Sequence, residues 1–346
     1  MPDQNEPLNR EAVLDLIELH GTLNQASAFL KRRGLTHSAG SWADMRAKRI
    51  RPALDSGALD DNDLLELLTL CEEHGNQHVF TYWIEDESYI PRLFDVDAVE
   101  ARLASSDRLP PLNQHQFVDM PDEKTVVNVR YDENGDLVFK IVEKRFFRSN
   151  KSENHTNGQV VITYDTVSYR AVHIVRVQQG GQVDVRVYSA RDAISYEVEA
   201  GVILDMVTTI LDRRKLSVRP LDGFRNVIWA PDRRAEVSAL VAVNNSDHRN
   251  HDGSRLRAAT AMLDRAIFDD DTLTESVDHF HAGEGDGYCE RASLTVLATG
   301  SEGALSRDVH VALLGAEHEF LLPSKVTKRE FDYILHLLSS DYGEAA

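Results

Sequence analysis

At 346 residues, 42% of them hydrophobic and 27% charged, the chain is long enough for two or three domains with cores of their own and ordinary for a soluble globular protein. A net charge of −19 excludes a protein that coats nucleic acid over its whole surface, so contact with phosphate must be confined to a patch. No run approaches the roughly 18 apolar residues that span a bilayer, and two distant cysteines, Cys71 and Cys289, exclude a disulfide framework and fit a reducing compartment. Met1 to Glu6 is acidic and polar, the opposite of a signal peptide's basic start and apolar middle, so the expected location is the cytoplasm, with no membrane partner.

Residues 9 to 20 open on the capping residue Asn9 and set Val13, Leu16 and Ile17 on one face, which predicts an amphipathic helix ended by Gly21. A second helix runs from Leu23 to Arg33 with Ala26, Phe29 and Leu30 inward, and stops at Gly34. After the loop Thr36 to Gly40, Ser41 and Asp44 have capping-box spacing and predict a third helix from Trp42 to about Arg51. Asp60 or Asp61 caps a fourth, marked by Leu64, Leu67, Leu68 and Cys71. Residues 1–76 therefore read as a helical basic head.

Val79 to Ile84 reads as a buried strand, and with the acidic, Pro-containing stretch that follows it makes a connection over 77–121. From Thr125 the period becomes two: Val127, Val129 and Tyr131 lead to the turn signal Asn134-Gly135, and Leu137, Phe139 and Ile141 lead back. Strands at Val160–Tyr164, Val172–Val177 and Val183–Val187 follow, with Gly180-Gly181 turning the last two. Ile203, Met206, Val207, Ile210 and Leu211 form a helical stripe that closes a unit over 122–216. The same grammar recurs over 217–346: strands at Val227–Ala230 and Val237–Val243, a polar loop Asn244–Gly253, a helix through Leu256, Ala259, Leu263, Ala266 and Ile267, three more strands, and a final helix capped at Thr327. The fold class expected is α+β: a four-helix head before antiparallel sheets with packed amphipathic helices, in two loosely similar units.

Leu30 to Pro52 stands apart electrostatically. Lys31, Arg32, Arg33, Arg46, Lys48, Arg49 and Arg51 face one acid, Asp44, a formal +6 that leaves −25 for the rest of a chain totalling −19. On a helix Arg46, Lys48 and Arg49 fall within about a turn while Met45 and Ile50 can face a core. A basic island on an acidic chain is the footprint of a phosphate-binding surface. The bland account is a solvated face, since cations in a last helical turn also stabilise the helix dipole.

Leu30-Lys31-Arg32-Arg33-Gly34-Leu35, Ser38-Ala39-Gly40, Ala43-Asp44-Met45 and Ile50 together resemble the SAP-type DNA-binding motif over residues 23–52. Departures are one extra loop residue, Trp42 where that family usually has Lys, and Arg46 and Arg49 where apolar residues are common. The resemblance implies two short helices around an extended loop that contact double-stranded DNA.

A second basic stretch, Lys140, Lys144, Arg145, Arg148 and Lys151, is interleaved with Phe139, Phe146 and Phe147, a mixture suited to single-stranded nucleic acid. Strand alternation alone yields it too, with phenylalanines in the core and charges in solvent, and that reading is preferred. Asp278, His279, His281 and Cys289 are the one metal-like cluster, short of the four ligands of a structural zinc. Asn244–Gly253, with His248 and His251, reads as a loop of turn formers. No P-loop, no Gly-x-Ser-x-Gly elbow and no His-Glu-x-x-His occurs, so no catalytic residue, metal or cofactor is assigned.

The function expected is a non-enzymatic adaptor whose head contacts DNA phosphates while the α+β body binds a protein partner or itself. The alternatives are a metal-dependent nuclease with its site in the polar loops of the body, and an interaction scaffold without nucleic acid.

Overall fold

The computed structural model describes residues 8–114, 117–156, 159–189, 194–260, 265–283 and 286–340. Met1 to Glu6 and Leu263, both used above, lie outside them. The chain opens with α1 (Arg10–His20), capped by the Asn9 side chain, and α2 (Leu23–Arg32), held by a full capping box of Thr22 and Gln25. The next helix has a break in register. α3 (Trp42–Met45) passes through a π-turn, Arg46–Ile50, into α4 (Arg51–Asp55), and the Arg51 amide donates five residues back to Arg46 O. The cause is Pro52, which has no N–H for the Lys48 carbonyl; the Arg49 guanidinium donates to that carbonyl instead, at 3.1 Å. α5 (Asp61–Glu72) completes the group, and these helices share one buried cluster including Ile17, Phe29, Met45, Ile50 and Leu68, with Trp42 packed half-buried against it.

A tight turn at Gly75 and Asn76, both at positive φ (92° and 56°), delivers the chain into β1 (Gln77–Ile84). α6 (Pro91–Phe94) and α7 (Val96–Ala104) follow, then β2 (Thr125–Tyr131), β3 (Leu137–Thr156), β4 (Gln159–Val177), β5 (Gln182–Tyr188), α8 (Tyr196–Met206) and the short β6 (Leu216–Val218). The rest of the chain forms α9 (Asp222–Trp229), α10 (Arg234–Leu240), β7 (Val241–Arg249), β8 (Arg255–Ala259), α11 (Asp271–Ala282), β9 (Tyr288–Val296), β10 (Val309–Leu313), β11 (Glu319–Leu322) and α12 (Lys328–Ser339). The protein is α+β.

The strands described form one antiparallel sheet, in the order β2-β3-β4-β5-β1-β11-β10-β9-β7-β8, with β6 also on β1. The residues expected to be a connection therefore supply the central strand. β1 pairs with β5 on one side and β11 on the other, so the two sheet-and-helix units expected from the sequence are halves of one sheet. Adjacent residues of β1 enter different cores. Phe80 joins the cluster under α6, α7 and α8, and Val79 joins the one under α9 to α12, which puts those layers on opposite faces of the sheet there.

The helices before β1 are joined to the sheet by buried charge. The Glu72 carboxylate, fully buried, lies 2.6 Å from Lys140 Nζ on β3 and accepts from Arg170 Nε on β4 at 2.9 Å. Beside it Arg130 donates to Glu73 at 2.6 Å, and Arg186 donates to the Glu73 carbonyl at 3.1 Å. The segment before α12 adds two contacts: Gln25 donates to Val326 O and Lys325 to Leu19 O.

Several local expectations change. Val227–Ala230 belongs to a helix, because Phe224 supplies the i, i+3, i+4 partner of Val227 and Ile228. Residues 241–249 are strand through most of the expected polar loop, because Asn244, Ser246 and His248 point inward and find hydrogen-bond partners there. Leu256 and Ala259 lie on strand β8 instead of a helix, and Asp278 to His281 form the last turn of α11, a helix capped by Asp270.

Candidate functional site

The feature with no structural explanation inside the chain is an arm. β3 and β4 stay paired far beyond the sheet: β2 leaves β3 at Val142 and β5 leaves β4 at Ile174, while the β3–β4 register runs on from Glu143↔Ala171 to Thr156↔Gln159. At the rise of a β-strand that is about 40 Å of two-stranded ribbon. Phe146, Val160, Val161, Ile162, Tyr164 and Val167 are each 40% to 53% exposed along it. Arg148 covers the Tyr164 ring at 5.6 Å, and Lys144 covers Phe146 at 5.5 Å. The β3 strand is irregular, with a register shift between Ser149 and Lys151; β4 is continuous.

The second basic stretch is thus divided by the fold. Phe139 is in the core as expected, but Lys140 and Arg145 are buried with it and Phe146 is out in solvent. The preferred reading, phenylalanines inside and charges outside, is corrected at those three positions. Acids explain it: Glu72 at the end of α5 takes Lys140, and Glu199 of α8, with Glu143 on β3 itself, takes Arg145.

The root of the arm carries a compact ionic cluster. Glu143 and His173, on β3 and β4, and Glu199, on α8, are the one His/acid group among the described residues whose ligand atoms all lie within 4.8 Å of one another. The Tyr188 amide donates to His173 Nδ1 at 3.2 Å, which fixes the proton on Nε2, and Nε2 donates to Glu143 at 2.8 Å. Burial lowers the His173 pKa, against the opposing pull of Glu143. Burial alone raises the Glu143 carboxyl, but His173, Arg145 and Lys124 reverse this and hold it at about 2. The Lys124 ammonium sits against both Glu143 and Glu199, the place a metal cation needs. With Arg145 also bonded to both acids, two cations already neutralise two carboxylates, and the cluster clamps the arm's base to α8.

The basic island is largely neutralised by its own neighbours. Arg46 meets Glu11, Asp15 and Glu18 of α1 at 3.0, 2.6 and 3.0 Å, and Arg51 meets Glu11 at 2.6 Å. Arg32 pairs with Glu66 at 2.6 Å, Arg33 bridges Asp63 and Glu66, and Lys48 takes Asp44 at 2.7 Å. Lys31 is exposed with no acidic partner among the described residues. The Arg49 Nε donates to Ser38 O at 2.8 Å and has no acidic partner among them either. Ser38 to Gly40, with Asn24, Lys48 and Arg49, line a shallow depression of about 450 Å³.

Of the body's other candidates the fold brings together His248 of the expected polar loop and His281 of α11, while Asp278 and Cys289 find other partners. His281 and His248 share a hydrogen bond of 2.8 Å, and His248 reaches Ser246 at the same distance and packs edge-on to Trp229. Burial, with His281 beside it, pushes His248 down to about 3. Asp278 is taken by Arg234, and the Cys289 thiol, which donates to Arg291 O, is pushed up to about 11 by burial. The sequence held one signal for the arm: two stretches of nearly equal length flank Asn157-Gly158, the strongest short hairpin dipeptide, which itself lies outside the described residues. No protein-family model matches the chain, and no curated protein is similar to it.

Proposed function

We propose that the chain is a non-enzymatic adaptor whose working element is the β3–β4 arm, carried on a sheet made stiff by helices on its faces. The observation that carries this reading is the arm itself: a ribbon clamped at its root, with six large apolar side chains in solvent and none of them needed by any core. Exposed apolar side chains concentrated on one projecting element mark a macromolecular contact. The test is a shortened arm, joining the register partners Phe147 and Val167 through an Asn-Gly turn. The expected protein melts like the parent but loses the macromolecules that the parent retains, foreign or a second copy of itself. Retention of the same set by both proteins overturns the reading.

A nucleic-acid role for the head is the second reading, favoured by Lys48 and Arg49 lining the depression beside Ser38 to Gly40 and by Lys31, exposed with no acidic partner among the described residues. Phosphate would have to displace α1 and α5 acids from Arg32, Arg33, Arg46 and Arg51. A binding surface limited to Lys31, Lys48 and Arg49 gives a log–log salt slope of about −3 on duplex DNA; a slope near −6 means the ion pairs open and the whole island engages. The nuclease alternative has less support, since Lys124 already stands between the acids at the root of the arm.

A further inference from the structure

We infer that the cavity walled by α5, β2 to β5 and the start of α12 binds a free amino acid, its carboxylate on Arg176 and its ammonium between Glu73 and Asp132. The cavity measures about 270 Å³, below the roughly 300 Å³ at which pockets for drug-sized molecules begin, so its ligand is small. Four residues on its wall keep a buried polar atom with no hydrogen-bond partner among the described residues: Glu73 Oε1, His74 Nδ1, Asp132 Oδ2 and Arg176 Nη2. Glu73, His74 and Arg176 are 2% to 5% exposed, and the Asp132 side chain 8%. Lys140, 4.0 Å from Glu73 Oε1, and Lys328, 3.5 Å from Asp132 Oδ2, stand beyond ordinary hydrogen-bond length. A buried polar atom without a partner loses its hydration and gains nothing for it, and four around one cavity call for an occupant.

The chemistry of these atoms selects that occupant. The Arg176 guanidinium has Nε on Asp184 and Nη1 on Asp332, and its remaining nitrogen offers a donor to an anion. Glu73 is held through its other oxygen by Arg130, and Asp132 through its other oxygen by the amides of Asn134 and Asp136. Their free oxygens offer acceptors to a cation. An ion of one sign satisfies only part of this set: phosphate leaves both carboxylate oxygens bare, and a simple amine leaves the guanidinium bare. A zwitterion with N–H groups satisfies both parts, and an amino acid is a small molecule of that kind. Burial, reinforced by Arg186, Arg176, Lys328 and Arg130, holds His74 well below its usual pKa, so it adds a neutral hydrogen-bonding atom and no charge. Leu70, Val138 and Ile174 supply the apolar part of the wall, which suits an aliphatic side chain. Arg32 and Glu133, with side chains 52% and 70% exposed, also line the cavity and mark its side open to solvent.

The test is calorimetric titration and thermal unfolding of the full chain with each of the protein amino acids and with inorganic phosphate. An aliphatic amino acid should bind and raise the melting temperature. For the tightest binder, the matching amine without the carboxylate and the matching acid without the ammonium should each bind at least roughly tenfold more weakly, since each loses one set of charge-assisted contacts. Glu73→Gln and Asp132→Asn keep an oxygen for the bonds already made and put an amide N–H₂ in place of the free one. Each should weaken binding at least roughly tenfold in protein shown to be folded by circular dichroism. Should a variant fail to fold, the amine and acid comparison on the parent decides alone. Phosphate bound in preference to every amino acid overturns the inference, and so does an amine or acid analogue bound as tightly as the amino acid. Variants that fold and bind like the parent overturn it too, as does no binding at millimolar concentration, which leaves a cavity holding water only.

Discussion

Replacing Glu72 by Gln should cost the protein about 3 kcal/mol at neutral pH, lower-end for a broken buried pair. The side chain is fully buried between Lys140 and Arg170, which come from two strands of the sheet, so the substitution leaves two cations out of water with one partner gone. Burial by itself would raise the carboxyl; Lys140 and Arg170 more than reverse that and bring it from 4.5 to about 2. That difference corresponds to about 3 kcal/mol of preferential stabilisation of the folded state. Glu73, 4.0 Å from Lys140, picks up part of the released charge, which is why the larger losses seen for buried pairs are not expected. The sign of the pH effect follows from the lowered folded-state value. The contribution is complete above about 4.5 and is lost as pH falls toward about 2, so parent and Glu72→Gln should converge in acid. Urea unfolding of both proteins at a series of pH values measures this directly. A difference below about 0.5 kcal/mol at pH 7, or one that does not shrink in acid, would refute the assignment. The double change Glu72→Met, Lys140→Met should not restore the parent's stability, because Arg170 is then left buried with only the Val118 and Asp119 carbonyls as partners among the described residues.

His20, buried and pushed down to about 4 chiefly by desolvation, binds its proton more readily in the unfolded chain, so it should erode stability as pH falls from about 6.5 to about 4; His20→Gln should flatten that limb of the pH–stability curve. Arg46→Ala leaves Glu11, Asp15 and Glu18 as like charges on one helix face, and should lower the melting temperature at low salt with the loss shrinking in high salt. Gly75→Ala combines a φ of +92° with a methyl driven into the Ser324 carbonyl, and should cost about 2 kcal/mol or more by thermal unfolding. Lys124→Ala removes the ammonium between Glu143 and Glu199 and leaves Arg145 alone to neutralise both, and should lower the melting temperature through the looser clamp between the arm's root and α8.

Local order was legible wherever it was carried by neighbours in the chain. Asn9, Thr327 and the stripe of Phe331, Ile334, Leu335 and Leu338 announce their helices because capping and amphipathic spacing act within a few residues. The alternation of Leu137, Phe139 and Ile141 announces a strand for the same reason, all three entering one core, whereas a bulge between Val126 and Asn128 turns Val127 to the opposite face from Val129, an irregularity the alternation hid. The arm escaped because a ribbon in solvent has no buried face and so no such alternation; Val160 to Tyr164 shows as a fragment of a strand that runs from Gln159 to Val177. The sequence was also silent on β1's place at the centre of the sheet, since an apolar run does not state its partners. Charge was the least legible property of all. A linear count makes Lys31 to Arg51 a +6 patch, yet the acids of α1 and α5 fold back onto it. Lys140 and Arg145, counted as solvent cations, are drawn inside by Glu72, Glu143 and Glu199. Coulomb energy depends on distance through space and on the water excluded between charges, and both are fixed only when the helices and strands are packed.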